Sequence, residues 1–276
     1  MNNLNSRHPK ILTHKDVFSN KNFFGSSHYV INQSFQLFSN RCPHRGNKII
    51  PPGNARDHFK CGLHGWGWDD NGQALNNNVN LRHHQATLGK SGLIYLDWSE
   101  PETARWINDL ANDRLEYSHG SKKYGTGDWR WQMEMHVDLL HVQHIHPMLH
   151  NYVDCNKLIS EKGYDWIAQY HEHGWWLFIY PFIHIEWEPG CLYFSEMAPR
   201  ENNQGYDVYI HYLFSSNTTK EKRHQFADMA ETTFDEDLKA VNELSAVSKY
   251  RMPGNSKHPL EQDILHFYGW LEDNTE

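Results

Sequence analysis

The sequence predicts an α+β chain of two parts: a small all-β unit, then a larger unit in which a long helix packs on an antiparallel sheet. Three observations carry this. The first hundred residues show short strand-like alternation, as in HYVINQSFQLF (28–38) and GLIYLDW (92–98). Aromatic and β-branched runs then recur at 164–173, 175–187, 190–199 and 206–214, the composition of sheet strands. Finally, KRHQFADMAETTFDEDLKAVNELSAV (222–247) has apolar residues at helical spacing.

Bulk composition bounds the rest. With 276 residues, 38% of them hydrophobic and 14% aromatic, the chain is long enough for two units with real cores. A net charge of -8 and the lack of a long basic run argue against nucleic acid or an anionic membrane as the main partner. MNNLNSRHPK has no apolar signal-peptide core, and no stretch approaches the roughly 20 apolar residues that span a bilayer, so a cytoplasmic protein is expected. Only 4 cysteines occur, which speaks against a disulfide framework; Cys155 and Cys191 have no metal-like spacing and read as buried small hydrophobes. Histidine is in excess, with 21 residues, and invites a search for metal sites.

The first unit reads as all-β from about Phe24 to Trp98, with a turn at Asp70-Asn71-Gly72. Within it, RCPHRGNKIIPPGNARDHFKCGLHGW (41–66) places Cys42 and His44 in one tight loop and Cys61 and His64 in another. Pro43, Gly46, Gly62 and Gly65 suit loops that fold back closely around a bound group. Two centres fit such a donor set: a structural Cys2His2 zinc, or a two-iron cluster with two Cys on one iron and two His on the other. Each loop brings one residue of each kind, and so can touch both irons, whereas zinc fingers usually pair like with like. The mixed order favours the cluster. A polar stretch from Ser99 to Asp128, with one helical turn at Ala104 to Leu110, reads as the connection, and the boundary is drawn between residues 110 and 111.

The second unit opens on DWRWQMEMHVDLLHVQHIHPMLH (128–150). On a helix Asp138 and His141 share a face. His141 and His146 would be about 140° apart on a straight helix. Pro147 disfavours helical geometry at His146, so the helix is expected to loosen there and let His146 swing towards His141. His136, His144 and His150 are nearby, and His144 is the leading alternative ligand. In the 222–247 helix, Phe226, Ala230, Phe234, Val241 and Leu244 fall in one stripe, and Asp237 lies inside it, with Asp235 opposite and Glu236 on the flank. A carboxylate on an apolar face requires a partner or a metal. Two imidazoles and one carboxylate make the facial triad that holds ferrous iron with positions open to dioxygen. Trp176, Phe178, Tyr180, Phe182 and His184 are expected on one face of a single strand, which suits either core or pocket lining.

These motifs together resemble the Rieske non-haem iron oxygenases, the family of the ring-hydroxylating oxygenase alpha-subunits. CPHRG and C-x-x-HGW are similar to its Rieske signature, with Gly62-Leu63 where Pro-Tyr is frequent. Asp138-x-x-His141-x-x-x-x-His146 matches its mononuclear iron motif; Trp129 and Glu134 match the run upstream, and Met135 stands where Asn is often found. Phe234 to Glu243 is similar to the run that carries its carboxylate ligand.

The resemblance implies a Rieske domain (1–110) and a helix-grip (Bet v 1/START-like) catalytic domain (111–276). It implies a [2Fe-2S] cluster on Cys42, His44, Cys61 and His64, and mononuclear Fe(II) on His141, His146 and Asp237. It also implies a homotrimer in which Asp138 links a cluster histidine of the neighbouring subunit, His64, to His141. The expected activity is O2-dependent hydroxylation, demethylation or dihydroxylation of a small organic substrate. No nucleotide-binding glycine pattern appears, so electrons are expected from a ferredoxin or flavin reductase. Arg41, Arg45, Lys48, Arg56 and Lys60 form either a rim that attracts such a donor or ordinary solvated loops. A Rieske electron-transfer protein without oxygenase turnover is the alternative, and a zinc-stabilised binding protein a third.

Overall fold

The computed structural model describes residues 11–18, 20–200, 205–252 and 257–274. The chain forms two compact units, divided after Gly120. The first contains β1 (Ile11–His14), β2 (Phe23–Gly25), β3 (Tyr29–Asn32), β4 (Gln36–Ser39), β5 (Asn54–Arg56), β6 (Phe59–Lys60), β7 (Gly67–Trp68), β8 (His83–Gln85), β9 (Thr87–Leu88), β10 (Leu93–Tyr95) and the helix α1 (Arg105–Asn112). A five-stranded sheet in the order β5-β2-β3-β4-β8 is accompanied by a three-stranded sheet β1-β10-β9 and the small β6-β7 ribbon.

Strand alternation explains its two cores. Side chains two apart share a face, so Phe23, Val30 and Phe38 pack with Cys42, Cys61 and Trp68, while Phe24, Ile31 and Leu37 pack with Leu12, Phe18 and Ile94. The turn before Ala74 closes at Gly72, whose φ of 78° and amide bond to the Asp69 carbonyl suit glycine. The single helical turn expected near Ala104 is a full eight-residue helix, with Trp106, Ile107 and Leu110 buried.

The second unit is built on strand β11 (Leu115–Gly125), which enters it from the linker, followed by α2 (Trp129–Val137), α3 (Val142–Ile145) and α4 (Pro147–Tyr152). Then come β12 (Ile159–Lys162), β13 (Trp166–Tyr170), β14 (Trp175–Ile179), β15 (Ile183–Glu188), β16 (Cys191–Pro199) and β17 (Tyr206–Ser215), and the helices α5 (Lys220–Val247) and α6 (Gln262–Asn274). The strands make one seven-stranded sheet, β11-β17-β16-β15-β14-β13-β12, antiparallel from β12 through β17. The 28-residue α5 starts at Thr219, whose side chain accepts from the Lys222 amide, and lies against the sheet in a helix-grip arrangement.

Its buried face carries Phe226, Met229, Ala230, Phe234, Asp237, Leu238 and Val241; Leu244, placed in that stripe by periodicity, is 36% exposed. A second expectation is also corrected. Residues 176–184 are not one strand face: the chain turns between Ile179 and Ile183, so Phe178 pairs with His184 and Trp176 with Glu186 across a hairpin. Tyr180 and Phe182 sit in the turn, and Tyr180 packs on Phe267 and Trp270 of α6. Cys155 and Cys191 are buried. Among the described residues no helix is long and apolar enough to cross a membrane.

Candidate functional site

In the first unit the two Cys/His loops are built alike. The Gly46 amide donates to the Cys42 carbonyl and the Gly65 amide to the Cys61 carbonyl; Cys42 N–H donates to Asn47 and Cys61 N–H to Trp66. Gly46 and Gly65 both adopt positive φ, 73° and 74°, to close these turns. Asn40 anchors the base of the first loop. Fully buried, it donates to the carbonyls of Ser26 and Ile50 and accepts from the amides of Ile49 and Ile50 at 2.7–3.0 Å.

Both cysteines point inward and both histidines lie at the surface. The His44 and His64 rings are 4.7 Å apart, and His44 stacks on Trp66 at 4.7 Å. Burial opposes ionisation of Cys61, but N–H groups of Leu63 and His64 and the Asn47 amide outweigh it, so its thiol lies below the ordinary value. Burial pushes the Cys42 thiol up, against the N–H groups of His44 and Arg45. Two thiols in mutual contact, backed by N–H donors, with two exposed imidazoles beyond them, fit a cluster with one sulfur-bound and one nitrogen-bound iron. Gly62-Leu63 therefore still aims its backbone at sulfur, and Leu63, 55% exposed, forms an apolar tip beside His64.

In the second unit the predicted helix over 128–150 is broken twice. α2 ends at Val137, and Asp138 and His146 both leave helical geometry, with ψ of 131° and 72°. Asp138 thus meets His141 across a break and not along a helix face: its Oδ1 accepts from the Leu140 amide at 2.8 Å, and its Oδ2 lies 3.1 Å from His141 Nδ1. The break preceding Pro147 turns His146 inward.

His141, His146 and Asp237 come together, with candidate ligand atoms all within 4.8 Å of one another. His146 Nε2 is 2.8 Å and His141 Nε2 3.5 Å from Asp237 Oδ1, and the two Nε2 atoms are 3.1 Å apart. Metal–ligand bonds of about 2.1 Å at right angles place donors about 3 Å apart, so the three fit one face of an iron coordination sphere. Both Nδ1 atoms are engaged by carboxylates, that of His141 by Asp138 and that of His146 by Glu236 at 2.8 Å, which leaves both Nε2 lone pairs for a metal. Burial works against ionisation of Asp237, yet His141 and His146 hold its carboxyl well below the usual range. Burial likewise opposes protonation of His141, but its bonds to Asp138 and Asp237 raise it to about 9.

Two supporting residues escape sequence reasoning. Glu236, assigned to a solvated flank, holds His146; Gln132, fully buried, reaches Asp237 Oδ2 at 3.5 Å and accepts from Tyr206 at 2.8 Å. Asp235 is exposed and pairs with Lys123. His144 and His150 are exposed; His136 lies 3.9 Å from Asp237 Oδ2, and burial pushes it down to about 4. A cavity of ≈ 40 Å³ adjoins the three residues, walled by Trp176, Phe178, His184, Glu186 and Tyr193 from the sheet and by Met229, Ala230 and Thr233 from α5.

Residues 8–87 match the Rieske [2Fe-2S] domain family. No curated protein matches the chain in sequence. Among solved structures, the quaternary ammonium Rieske monooxygenase CntA in complex with L-carnitine is 15% identical, with a TM-score of 0.71 over 97% of this chain and 88% of that one. NdmA of Pseudomonas putida CBB5 is 14% identical, with a TM-score of 0.55 over 95% of this chain and 88% of that one. At these identities the likeness establishes a shared fold.

Proposed function

Because the chain is a Rieske-domain protein with the fold of the Rieske monooxygenases, we propose that it is a Rieske non-haem iron oxygenase acting on a small organic substrate. The observation that carries this reading is the convergence of His141, His146 and Asp237 in a second unit that an electron carrier would not need. When bound, the cluster supplies single electrons, and ferrous iron supplies the position at which O2 is reduced beside the substrate.

The remaining work falls to side chains. Cys42, Cys61, His44 and His64 hold the cluster, its histidine end towards solvent and an external donor, a ferredoxin or flavin reductase. His141, His146 and Asp237 hold the iron. Asp138 and Glu236 each accept a hydrogen bond from an imidazole Nδ1–H and so keep Nε2 aimed at the metal. Gln132 restrains the second oxygen of Asp237. The walls of Phe178, Trp176 and Tyr193 keep bulk water from the iron. In the assembly we propose, a homotrimer, Asp138 would bridge the cluster histidine of a neighbouring subunit to His141 as a hydrogen-bonded path between the two centres, and the product would be a hydroxylated, demethylated or dihydroxylated molecule.

The test is metal content and spectroscopy after anaerobic reconstitution, followed by substrate-dependent O2 uptake with a reductase. Three irons per chain and a Rieske EPR signal are expected. Asp237→Ala should keep the cluster's two irons, lose the third and abolish O2 uptake. Retention of all three by the variant overturns the ligand assignment, and two irons in the parent protein favours an electron carrier.

A further inference from the structure

We infer that β15 lines a cation-selective entrance to the iron cavity, and that the substrate is a protonated amine whose N–H groups are bound by Glu186 and Glu188; this rests on the oxygenase reading above. Strand alternation puts His184, Glu186 and Glu188 on one face of β15, with about 7 Å between successive members of the row. His184 and Glu186 line the inner cavity of ≈ 40 Å³. Glu188 lines an outer cavity of ≈ 350 Å³ with Tyr152, Phe226 and Lys222. Met229 lines both, so a single flexible side chain is their shared wall. The row thus runs from beside the metal to the outer chamber.

Both carboxylates are buried, Glu186 at 8% and Glu188 at 3% exposure. The donors beside Glu186 are Trp176 and Tyr193, and beside Glu188 Tyr152, all of them neutral. The nearest cation, the Lys222 ammonium, stands 3.9 Å from Glu188 Oε2 and donates instead to the Pro189 carbonyl at 3.0 Å. Glu188 Oε1 has no hydrogen-bond partner. Glu186 has no counter-charge beside it and Glu188 only the long contact to Lys222, so the two buried acids are costly to keep ionised together. Burial first, and then the charge of Glu188, raise Glu186 to about 8. A ligand cation removes that cost for both.

The walls specify the cation further. Trp176 and Tyr193 inside, and Tyr152 and Phe226 outside, line the walls with aromatic rings, which suit an organic cation. A metal ion would need several more oxygen ligands than these walls provide. The free Glu188 oxygen calls for an N–H donor, which an amine has and a quaternary ammonium lacks.

Binding can be read without turnover, by calorimetry on anaerobic iron-loaded protein titrated with benzylamine, benzyl alcohol and benzyltrimethylammonium. Benzylamine should bind at least about tenfold tighter than benzyl alcohol and tighter than the quaternary ion. Glu188→Gln and Glu186→Gln should each weaken benzylamine by about tenfold or more and leave benzyl alcohol unchanged, with cluster EPR and iron content reporting intact folding. Equal affinity for amine and alcohol, equal or tighter binding of the quaternary ion, or amine affinity unchanged in both variants overturns the inference. A chain that holds all three irons and binds no amine at millimolar concentration overturns it too, and leaves the oxygenase reading standing. Amine binding by a chain that takes up no mononuclear iron overturns the oxygenase reading instead.

Discussion

Glu236 lies 2.8 Å from the Nδ1 of His146, while Asp237, its neighbour on α5, lies 2.8 Å from the Nε2 of the same ring. Two consecutive carboxylates therefore grip opposite edges of one imidazole. One fixes the tautomer and the other shares the side offered to metal. Glu236→Ala removes the outer grip only. Ferrous affinity should fall 10- to 100-fold, as for other residues that orient metal-bound histidines, with the cluster signal unchanged. Competition for iron against a calibrated chelator measures this; unchanged affinity would make Glu236 a surface acid that happens to touch His146.

How legible this was follows from how local each contact is. The cluster loops are readable because both Cys/His pairs lie within three residues, and the glycines that close them adopt positive φ. Asp237 is readable because a carboxylate in an apolar stripe is anomalous on the helix alone. Glu236 is not: one residue on, it falls at the stripe's edge, and its role depends on His146, which a break 90 residues earlier turns towards it. Asn40 and Gln132 are illegible for the same reason, since an isolated amide has no periodicity and its value lies in distant partners. The hairpin at 180–182 carried one signal, Pro181, but the aromatic residues on both sides of it keep the composition of a strand through the turn.

Asn47 offers a second test, in the first unit. Its side-chain nitrogen stands 3.7 Å from Cys61 Sγ, a hydrogen bond from an amide to a sulfur. N–H donors to a sulfur ligand favour the more negative, reduced state of a cluster and raise its potential. Asn47→Ala should lower the midpoint by up to roughly 20–60 mV, the one-electron equivalent of a bond worth ~0.5–1.5 kcal/mol. Protein-film voltammetry or a redox titration followed by EPR reads it directly, and a rise in potential contradicts the assignment.

Glu134 makes the second unit's stability depend on pH. Burial, and then the charge of Asp138, raise its carboxyl from 4.5 to about 7, against the hydrogen bond from Tyr250 and the charge of Arg130. A carboxyl that holds its proton more tightly when folded favours the folded chain fully below its unfolded value, and that advantage is lost as pH rises to about 7. The cost of ionised Glu134 at pH 8 is about 3 kcal/mol. Glu134→Gln keeps an acceptor for Tyr250 and carries no charge, so it should narrow the gap in melting temperature between pH 5 and pH 8 by raising the value at pH 8. An unchanged gap would locate the pH dependence elsewhere, with Glu186 the next candidate.

Asp138 separates holding iron from reducing it. Its Oδ2 is 3.1 Å from His141 Nδ1, so it orients a ligand; in the proposed trimer it would also bridge His141 to the neighbouring subunit's cluster. Asp138→Asn keeps an amide oxygen that accepts from Nδ1 and removes the charge, whereas Asp138→Ala removes both. If orientation is the whole role, the Asn variant should resemble the parent in iron content and rate. If Asp138 also couples the two centres, the Asn variant should keep its third iron while reoxidation of the prereduced cluster by O2 with substrate slows by at least about tenfold, a loss typical of disrupted metal-site partners. Stopped-flow absorbance of the cluster beside iron analysis of the same sample distinguishes the two, because only coupling leaves the metal in place and the electron stranded.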